Sequence, residues 1–187
     1  MKFLSQKIPD LILIKPKVHE DIRGCFTETF RQDLLEKKLG YQINFVQDNE
    51  SISSKGVLRG LHYQLPPFAQ SKLVRVIKGS VLDVAVDIRL NSPTFGQHLT
   101  VELSEKNKQQ IYIPKGFAHG FIVLSNTAIF TYKMDNYYAP DYERGIAFDD
   151  EQLAIDWVLP KKDLQLSDKD KCQPNFSYMN DYPLTTL

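Results

Sequence analysis

The stretch SVLDVAVDIR, residues 80–89, is typical of a β-strand because apolar residues occupy every second position. One face carries the apolar side chains of Leu82, Val84, Val86 and Ile88. The opposite face carries the charged side chains of Asp83, Asp87 and Arg89. Because successive side chains of a strand point to opposite faces, this stretch predicts a strand with two chemically different sides.

Similar signals recur on both sides of this strand. Residues 98–103 repeat the alternation, and short apolar runs follow at residues 111–113, 121–124 and 128–132. Turn residues separate these runs at positions 78–80, 91–93, 114–116 and 125–126. Many short strands with frequent turns predict an all-β sandwich or barrel, with its core at about residues 43–133.

Helix signals are scarce. Residues 33–39, followed by Gly40, predict one short helix, and residues 151–157 predict a weaker second one. From about residue 160 to residue 187 the chain is polar and interrupted by prolines, which predicts a tail packed on the barrel and helical only in short pieces. With no internal repeat or flexible linker, residues 1–187 are expected to form a single domain.

Composition narrows the possible partners. The 187 residues include 23 basic and 23 acidic side chains, so the formal net charge is +0. This balance gives no general attraction to nucleic acid or to anionic membranes. No apolar run approaches the ~20 residues that span a bilayer, and no signal-peptide pattern is evident. Two isolated cysteines, Cys25 and Cys172, are expected to be packing residues of a cytoplasmic protein.

His62 is the first candidate for chemistry. It lies in LRGLHYQ, residues 58–64, with Arg59 upstream and Lys72 in the next strand-like run. Two nearby cations resist protonation of an imidazole and keep it a neutral base, and they attract an anion such as a phosphate or an enolate. Composition alone leaves a purely structural role open for each of these residues.

His119 lies in IPKGFAHGF, residues 113–121, which resembles the second motif of metal-binding cupins. The first cupin motif is only partly present, because Gly56 and His62 keep its spacing while Gln64 replaces the second histidine. A transition-metal site needs about three convergent ligands, and at most two histidines remain. We therefore expect a cupin-type barrel that holds no metal and no cofactor.

Three further polar side chains lie on strand-like segments. Tyr132 lies on the same strand face as Ala128 and Phe130. It is therefore either a core residue with a hydrogen-bonded hydroxyl or a residue that takes part in the chemistry. Gln47 and Asn49 share one strand face and could bind hydroxyl or phosphate oxygens.

Taken together, the ordered blocks of the chain resemble the dTDP-4-dehydrorhamnose 3,5-epimerases. The blocks include DIRG at 21–24, FVQDN at 45–49, VLRGLHYQ at 57–64, KLVR at 72–75, DVAVDIR at 83–89, SPTFG at 92–96, IPKGFAHGF at 113–121, NYY at 136–138 and LSDKD at 166–170. The resemblance implies a cupin-type jelly-roll β-barrel. It also implies a dTDP-linked 4-keto-6-deoxy sugar as substrate, inverted at C3 and C5.

The same resemblance implies four catalytic residues. His62 matches the base, and Asp170 matches the carboxylate that orients it, whereas the family's position at Asp168 is variable. Lys72 matches the lysine that stabilises an enolate. Tyr132 matches the tyrosine that returns a proton to the opposite face.

Substrate-binding residues follow in the same way. Arg23 and Arg59 resemble residues that meet the diphosphate, and Tyr138 resembles an aromatic that stacks on thymine. Further matching positions are Glu28, Gln47, Asn49, His119, Glu143 and Lys169. The resemblance also implies a homodimer in which Arg23 can act on the partner's site. In a regular strand Arg59 and His62 would point to opposite faces. A bulge near Gly60 is therefore expected if both face the site.

Other functions stay open at this point. The same scaffold could epimerise one carbon only, or isomerise the keto group of a related nucleotide-linked sugar. A non-catalytic, sugar-nucleotide-binding cupin is disfavoured because the matched base, orienting carboxylate and acid are all present. A metal-dependent dioxygenase is disfavoured by Gln64.

Overall fold

A computed structural model describes residues 1–178. Within this range the strands are β1 (Lys2–Ser5), β2 (Ile12–Lys15), β3 (Val18–Asp21), β4 (Gly24–Thr27), β5 (Gln47–Ser54), β6 (Leu58–Gln64), β7 (Lys72–Lys78), β8 (Ser80–Asp87), β9 (His98–Ser104), β10 (Gln110–Ile113), β11 (Phe117–Val123), β12 (Thr127–Met134) and β13 (Glu143–Gly145). The α-helices are α1 (Gln32–Leu39) and α2 (Asp168–Lys171). Short 3-10 turns occur at Pro140–Tyr142, Lys161–Asp163 and Phe176–Tyr178.

The strands form two main sheets and a separate hairpin. The six-stranded sheet has the order β1-β2-β10-β7-β12-β5, and the five-stranded sheet has the order β13-β6-β11-β8-β9. Strands β3 and β4 pair only with each other. All of these strand pairs are antiparallel. The prediction of an all-β, cupin-type jelly-roll barrel with few short helices is therefore confirmed.

An apolar core lies between the two main sheets. Val74 and Phe130 of the six-stranded sheet meet Ala85 and Phe121 of the five-stranded sheet in one buried cluster. The rings of Phe121 and Phe130 stack with centroids 3.9 Å apart. This core joins the sheets and closes the inner end of the cavity described below.

Both faces of strand β8 are buried. Its apolar face, including Val84 and Val86, packs against the segment that contains Phe148 and Trp157. Asp83, on the other face, is also fully buried. The predicted difference between the two faces is present, but the apolar side lies under the C-terminal part of the chain.

Helix α1 begins at Gln32, one residue earlier than predicted, and ends at Leu39 as predicted. Gly40 follows with φ of 81°, and its N–H donates to the carbonyl of Glu36 at 2.8 Å. Leu35 is buried against the outer side of the six-stranded sheet, where Leu73 and Tyr112 lie in the same cluster. The helix therefore covers part of the face that points away from the barrel.

The predicted helix at residues 151–157 is wrong, because this segment forms turns. Ala154 has φ of 46°, which a right-handed helix does not accommodate. The Asp150 carboxylate accepts from the N–H of Leu153 and of Phe176, and the Trp157 indole donates to the Phe148 carbonyl. These contacts hold the segment in turns.

The paired strands extend beyond residues 43–133 in both directions. Strand β2 is buried at Ile12, Leu13 and Ile14, so its sequence shows no alternation that would identify it as a strand. The tail from residue 160 forms short helical pieces as expected, and its last nine residues, 179–187, lie outside the described part.

The packing role predicted for the cysteines is wrong. Cys25 and Cys172 are both free and exposed, because Cys25 lies on the separate hairpin and Cys172 ends α2. In residues 1–178, no helix has the length and apolar character needed to cross a membrane.

Candidate active site

The candidate site is a cavity between the two main sheets. The cavity has a volume of about 490 Å³. A second space of about 330 Å³ adjoins it, and His62, Lys72 and Tyr132 line both. His62 belongs to the five-stranded sheet, whereas Lys72 and Tyr132 belong to the six-stranded sheet. The histidine and the tyrosine therefore approach the cavity from opposite walls.

Strand register explains how these side chains meet. His62 of β6 lies directly opposite His119 of β11. Tyr132 of β12 lies opposite Val74 of β7 and opposite Asn49 of β5. Opposed residues of neighbouring strands point to the same face, so these pairs converge on the cavity.

His62 and Asp170 form a close pair. The Nε2 atom of His62 lies 2.5 Å from Oδ1 of Asp170, and the aspartate side chain is only 5% exposed. Because a carboxylate only accepts, Nε2 carries the proton and Nδ1 of the neutral ring keeps its lone pair. The sequence-predicted partner is thus in contact with the histidine, whereas the Asp168 side chain is 99% exposed and bonds to Lys171.

Helix α2 holds the Asp170 carboxylate in place. Ser167 caps the helix by accepting from the Asp170 N–H at 3.1 Å, and its hydroxyl donates to Asp170 Oδ2 at 2.9 Å. Burial alone would raise the pKa of Asp170. The hydrogen bonds from His62 and Ser167, with the charge of His62 when it is protonated and the charge of Lys169, more than offset burial and lower that pKa.

Lys72 presents an ammonium to the cavity. Burial lowers its pKa to about 8, and the carboxylates of Asp83 and Glu143 oppose that fall. Among residues 1–178 its Nζ has no hydrogen bond or ion pair with a protein group. An ammonium with three free N–H groups can donate to an oxygen bound in the cavity.

A chain of amide hydrogen bonds positions Tyr132. Asn49 Nδ2 donates to the Tyr132 hydroxyl at 3.0 Å, and Gln47 Nε2 donates to Asn49 Oδ1 at 3.0 Å. Gln47 Oε1 in turn accepts from the Tyr138 N–H at 3.0 Å. Since the phenol oxygen accepts from Asn49, its own hydrogen stays available to a group in the cavity.

Glu143, Tyr138 and Lys169 form a second polar cluster at the smaller space. The Tyr138 hydroxyl donates to Glu143 Oε2 at 2.6 Å, and the Lys169 ammonium donates to the same oxygen. Burial raises the pKa of Glu143, but these two donors and the charge of His62 when it is protonated more than offset burial and lower that pKa. The Glu143 hydrogen bond raises the pKa of Tyr138.

Arg59 and His119 complete the cavity on the five-stranded sheet. The Arg59 guanidinium contacts the Ser53 hydroxyl at 3.2 Å, and His119 Nε2 donates to Asp83 Oδ2 at 2.9 Å. Burial lowers the pKa of His119, as do Lys72 and His62, although Asp83 opposes this. His119 is therefore a neutral imidazole at pH 7.

The irregularity expected near Gly60 is present. His119 pairs with His62, whereas Phe121 pairs with Arg59, so two steps along β11 match three steps along β6. Gly60 has φ of 119°, and a Cβ there would lie 2.6 Å from the Cα of Gly120. This shift lets Arg59 and His62 line the same cavity.

Arg23 and Glu28 do not reach the cavity within this chain. Arg23 lies at the turn of the β3–β4 hairpin, is 84% exposed and pairs with Asp21 at 2.5 Å. Glu28 follows the hairpin and lies 3.8 Å from Arg31. Neither is among the residues that line the two spaces around His62.

The structure gives Gln64 a role other than metal binding. Its side-chain amide donates to the carbonyls of Phe68 and Tyr137 and accepts from the Ala139 N–H, so it ties two loops together. Across residues 1–178, no cluster of three or more His, Cys, Asp or Glu side chains is arranged to hold a metal ion.

Asp83 is the site residue that the sequence did not identify. Strand alternation assigns it only to the charged face of β8, yet its carboxylate bonds to His119 beneath the cavity. The available signal was an acidic residue within the apolar run VLDVAV, residues 81–86, because a buried aspartate requires a polar partner.

Comparisons with known proteins show the family of the chain. The family model described as dTDP-4-dehydrorhamnose 3,5-epimerase matches residues 5–178. The dTDP-4-dehydrorhamnose 3,5-epimerase of Shigella flexneri is 54% identical over 170 residues, which cover 91% of this chain and 93% of the relative.

Solved structures show the same similarity. The dTDP-6-deoxy-D-glucose-3,5-epimerase of Legionella pneumophila in complex with dTDP-4-keto-L-rhamnose has a TM-score of 0.94 and 49% identity, covering 100% of this chain and 99% of that chain. The dTDP-4-dehydrorhamnose 3,5-epimerase of Elizabethkingia anophelis has a TM-score of 0.93 and 49% identity, covering 97% and 99%.

Proposed function

Because the chain belongs to the dTDP-4-dehydrorhamnose 3,5-epimerase family, we propose that it converts dTDP-4-dehydro-6-deoxy-D-glucose to dTDP-4-dehydro-L-rhamnose. The observation that carries the proposal is the placement of the His62–Asp170 pair and Tyr132 on opposite walls of one cavity. Inversion of a carbon centre needs a base on one face and an acid on the other, and this cavity offers both.

The reaction begins at a carbon next to the C4 ketone. The base removes the C–H proton, and the electron pair moves onto the ketone oxygen to form an enolate. Reprotonation of the same carbon from the opposite face restores the ketone and inverts the centre. C3 and C5 both flank C4, so the same groups serve both centres in turn.

His62 is the base in this proposal. Its Nδ1 lone pair accepts the proton, while the Nε2–H bond to Asp170 fixes the ring and stabilises the imidazolium that forms. The lowered pKa of Asp170 keeps its carboxylate ionised at neutral pH. The pair is thus a base with an orienting anion, as in hydrolytic triads.

Lys72 acts on the ketone oxygen, and Tyr132 acts on the carbon that is reprotonated. The Lys72 ammonium donates to the developing enolate oxygen, and such a donor is typically worth about 3–4 kcal/mol. Tyr132 delivers the proton from the wall opposite His62. The resulting phenolate and imidazolium return to their starting forms by proton exchange with solvent.

The remaining cavity residues bind the substrate. The Arg59 guanidinium suits the paired oxygens of a diphosphate, and Tyr138, half-exposed at the smaller space, offers a ring for the thymine. The polar residues that complete this set are Gln47, Asn49, His119, Glu143 and Lys169. No cofactor takes part in the proposed steps.

The proposal includes a homodimer in which Arg23 and Glu28 contribute to the site of the partner subunit. We also propose that residues 1–187 act as one domain and that the protein works in the cytoplasm. The β3–β4 hairpin supports the dimeric arrangement because its strands pair with neither main sheet and it exposes Ile22 and Phe26.

Product analysis tests the proposed activity. The protein is incubated with dTDP-4-dehydro-6-deoxy-D-glucose and a reductase specific for the L-rhamno product, and dTDP-L-rhamnose is expected. His62→Ala should fold and lose on the order of a thousandfold in turnover. Absence of the L-rhamno product with the wild-type chain would contradict the proposal.

Matched aspartate variants test the orienting role. Asp170→Asn should lower turnover, but by less than His62→Ala, because the imidazole survives in a poorer state. Asp168→Asn lies in the same helix with its carboxylate in solvent and should leave turnover unchanged. Equal losses in the two variants would refute the assignment of Asp170.

A further inference from the structure

A buried carboxylate lies beneath the cavity with one oxygen unused. Asp83 of β8 is fully buried, and its Oδ2 accepts from His119 Nε2 at 2.9 Å. Its Oδ1 is also buried and has no hydrogen-bond partner within residues 1–178. A carboxylate in such surroundings is costly unless a positive charge lies close by.

Lys72 supplies that positive charge. Its ammonium enters the same cavity as His119, and neither a hydrogen bond nor an ion pair engages it in the described part of the chain. Asp83 opposes the effect of burial on the pKa of Lys72 more strongly than Glu143 does. The Asp83 carboxylate and the Lys72 ammonium therefore attract each other through space.

The other groups around Lys72 cannot replace Asp83. Glu143 already accepts from both Tyr138 and Lys169, so its charge is largely neutralised. Of the other carboxylates at the cavity, Asp170 is held by His62 and Ser167, and Asp48 and Glu50 are exposed. The remaining polar groups are His62, His119 and Tyr132, which carry no negative charge when neutral, and the cation Arg59. Asp83 is the buried carboxylate that acts on the ammonium and has one oxygen without a partner in the described part of the chain.

We propose that Asp83 is a positioning residue, whose carboxylate keeps the Lys72 ammonium protonated and fixes His119 with its proton on Nε2. The part concerning turnover rests on the proposed function, in which Lys72 donates to the enolate. Without the carboxylate, a desolvated lysine releases its proton at a lower pH and can no longer stabilise an oxyanion.

The charge state of Lys72 sets the alkaline limit of turnover. The pKa of Lys72 is about 8 in the intact site, so the ammonium is present below that pH and lost above it. Turnover should therefore fall on the alkaline side near pH 8. Removal of the Asp83 charge should move this alkaline limb toward lower pH by about one unit or more.

The direct test is an NMR titration of the substrate-free protein with ¹³C-labelled lysine, in which Lys72→Met assigns the Lys72 signal. Asp83→Asn should lower the pH at which this signal titrates by about one unit or more. Asp87→Asn is the matched control, because Asp87 is equally buried on the same strand but pairs with Arg89. It should leave the Lys72 titration unchanged.

Two results would overturn the proposal: an unchanged Lys72 titration in Asp83→Asn, or an equal shift in Asp87→Asn. Asp83→Ser, which removes the charge and leaves room for water, serves as the second variant if the asparagine form does not fold. A lowered Lys72 titration with an unmoved alkaline limb of kcat would support the role of Asp83 and contradict the catalytic role of Lys72.

Discussion

The Tyr132 hydroxyl is held by Asn49 and faces the cavity from the wall opposite His62. Tyr132→Phe should abolish inversion but permit hydrogen exchange with solvent, because His62 can remove a proton and return it to the same face. Proton NMR of the substrate in deuterated buffer measures both events. Loss of exchange together with inversion would mean that Tyr132 does more than reprotonate. Retained inversion would remove Tyr132 from the mechanism.

At the scale of single residues, family resemblance predicted His62, Lys72, Tyr132 and Asp170, and the structure brings all four side chains to one cavity. Spacing alone could not have paired His62 with Asp170, since 108 positions separate them. Asp83 was missed for a related reason. Its partner His119 is 36 positions away, and strand alternation shows which face a side chain occupies but not what covers that face.

At the scale of elements, the bulge between β6 and β11 decides which side chains face the cavity. Gly60→Ala should destabilise the fold by roughly 3 kcal/mol or more, because the new Cβ would meet the Gly120 backbone at 2.6 Å. Gly40→Ala is the matched control, since Gly40 also has a positive φ but a Cβ added there would have no atom within 4 Å, and it should cost only about 1 kcal/mol. Urea unfolding of both variants checks the difference. Similar losses would show that backbone conformation, and not close packing, determines the need for glycine at residue 60.

Strand alternation predicted strands with two unlike faces, such as β8 and β9, with the first residue exact and the last residue within two positions. It missed β2, where three consecutive residues are buried, and β13, which has only three residues. The helix predicted at residues 151–157 failed because Ala154 has φ of 46° and the Asp150 carboxylate also accepts from the N–H of Phe176, 26 positions away. Local patterns do not contain such contacts.

At the scale of the whole molecule, the β3–β4 hairpin places Arg23 away from the cavity of its own chain. If Arg23 serves the partner subunit, mixing inactive Arg23→Ala and His62→Ala chains should restore activity, because one site of each mixed dimer contains both residues. Random mixing should give roughly a quarter of wild-type activity. The measurement is turnover after joint refolding, with each variant refolded alone as the control. No recovery would place Arg23 in the site of its own chain or outside the reaction.

The proposed mechanism requires one cavity to remove protons from two carbons and return them to the opposite faces. The most direct measurement is the reaction of dTDP-4-dehydro-6-deoxy-D-glucose in deuterated buffer, followed by NMR of the product. We predict deuterium at both C3 and C5, each in the inverted configuration. Deuterium at only one of these carbons, or inversion without incorporation of solvent deuterium, would contradict the mechanism.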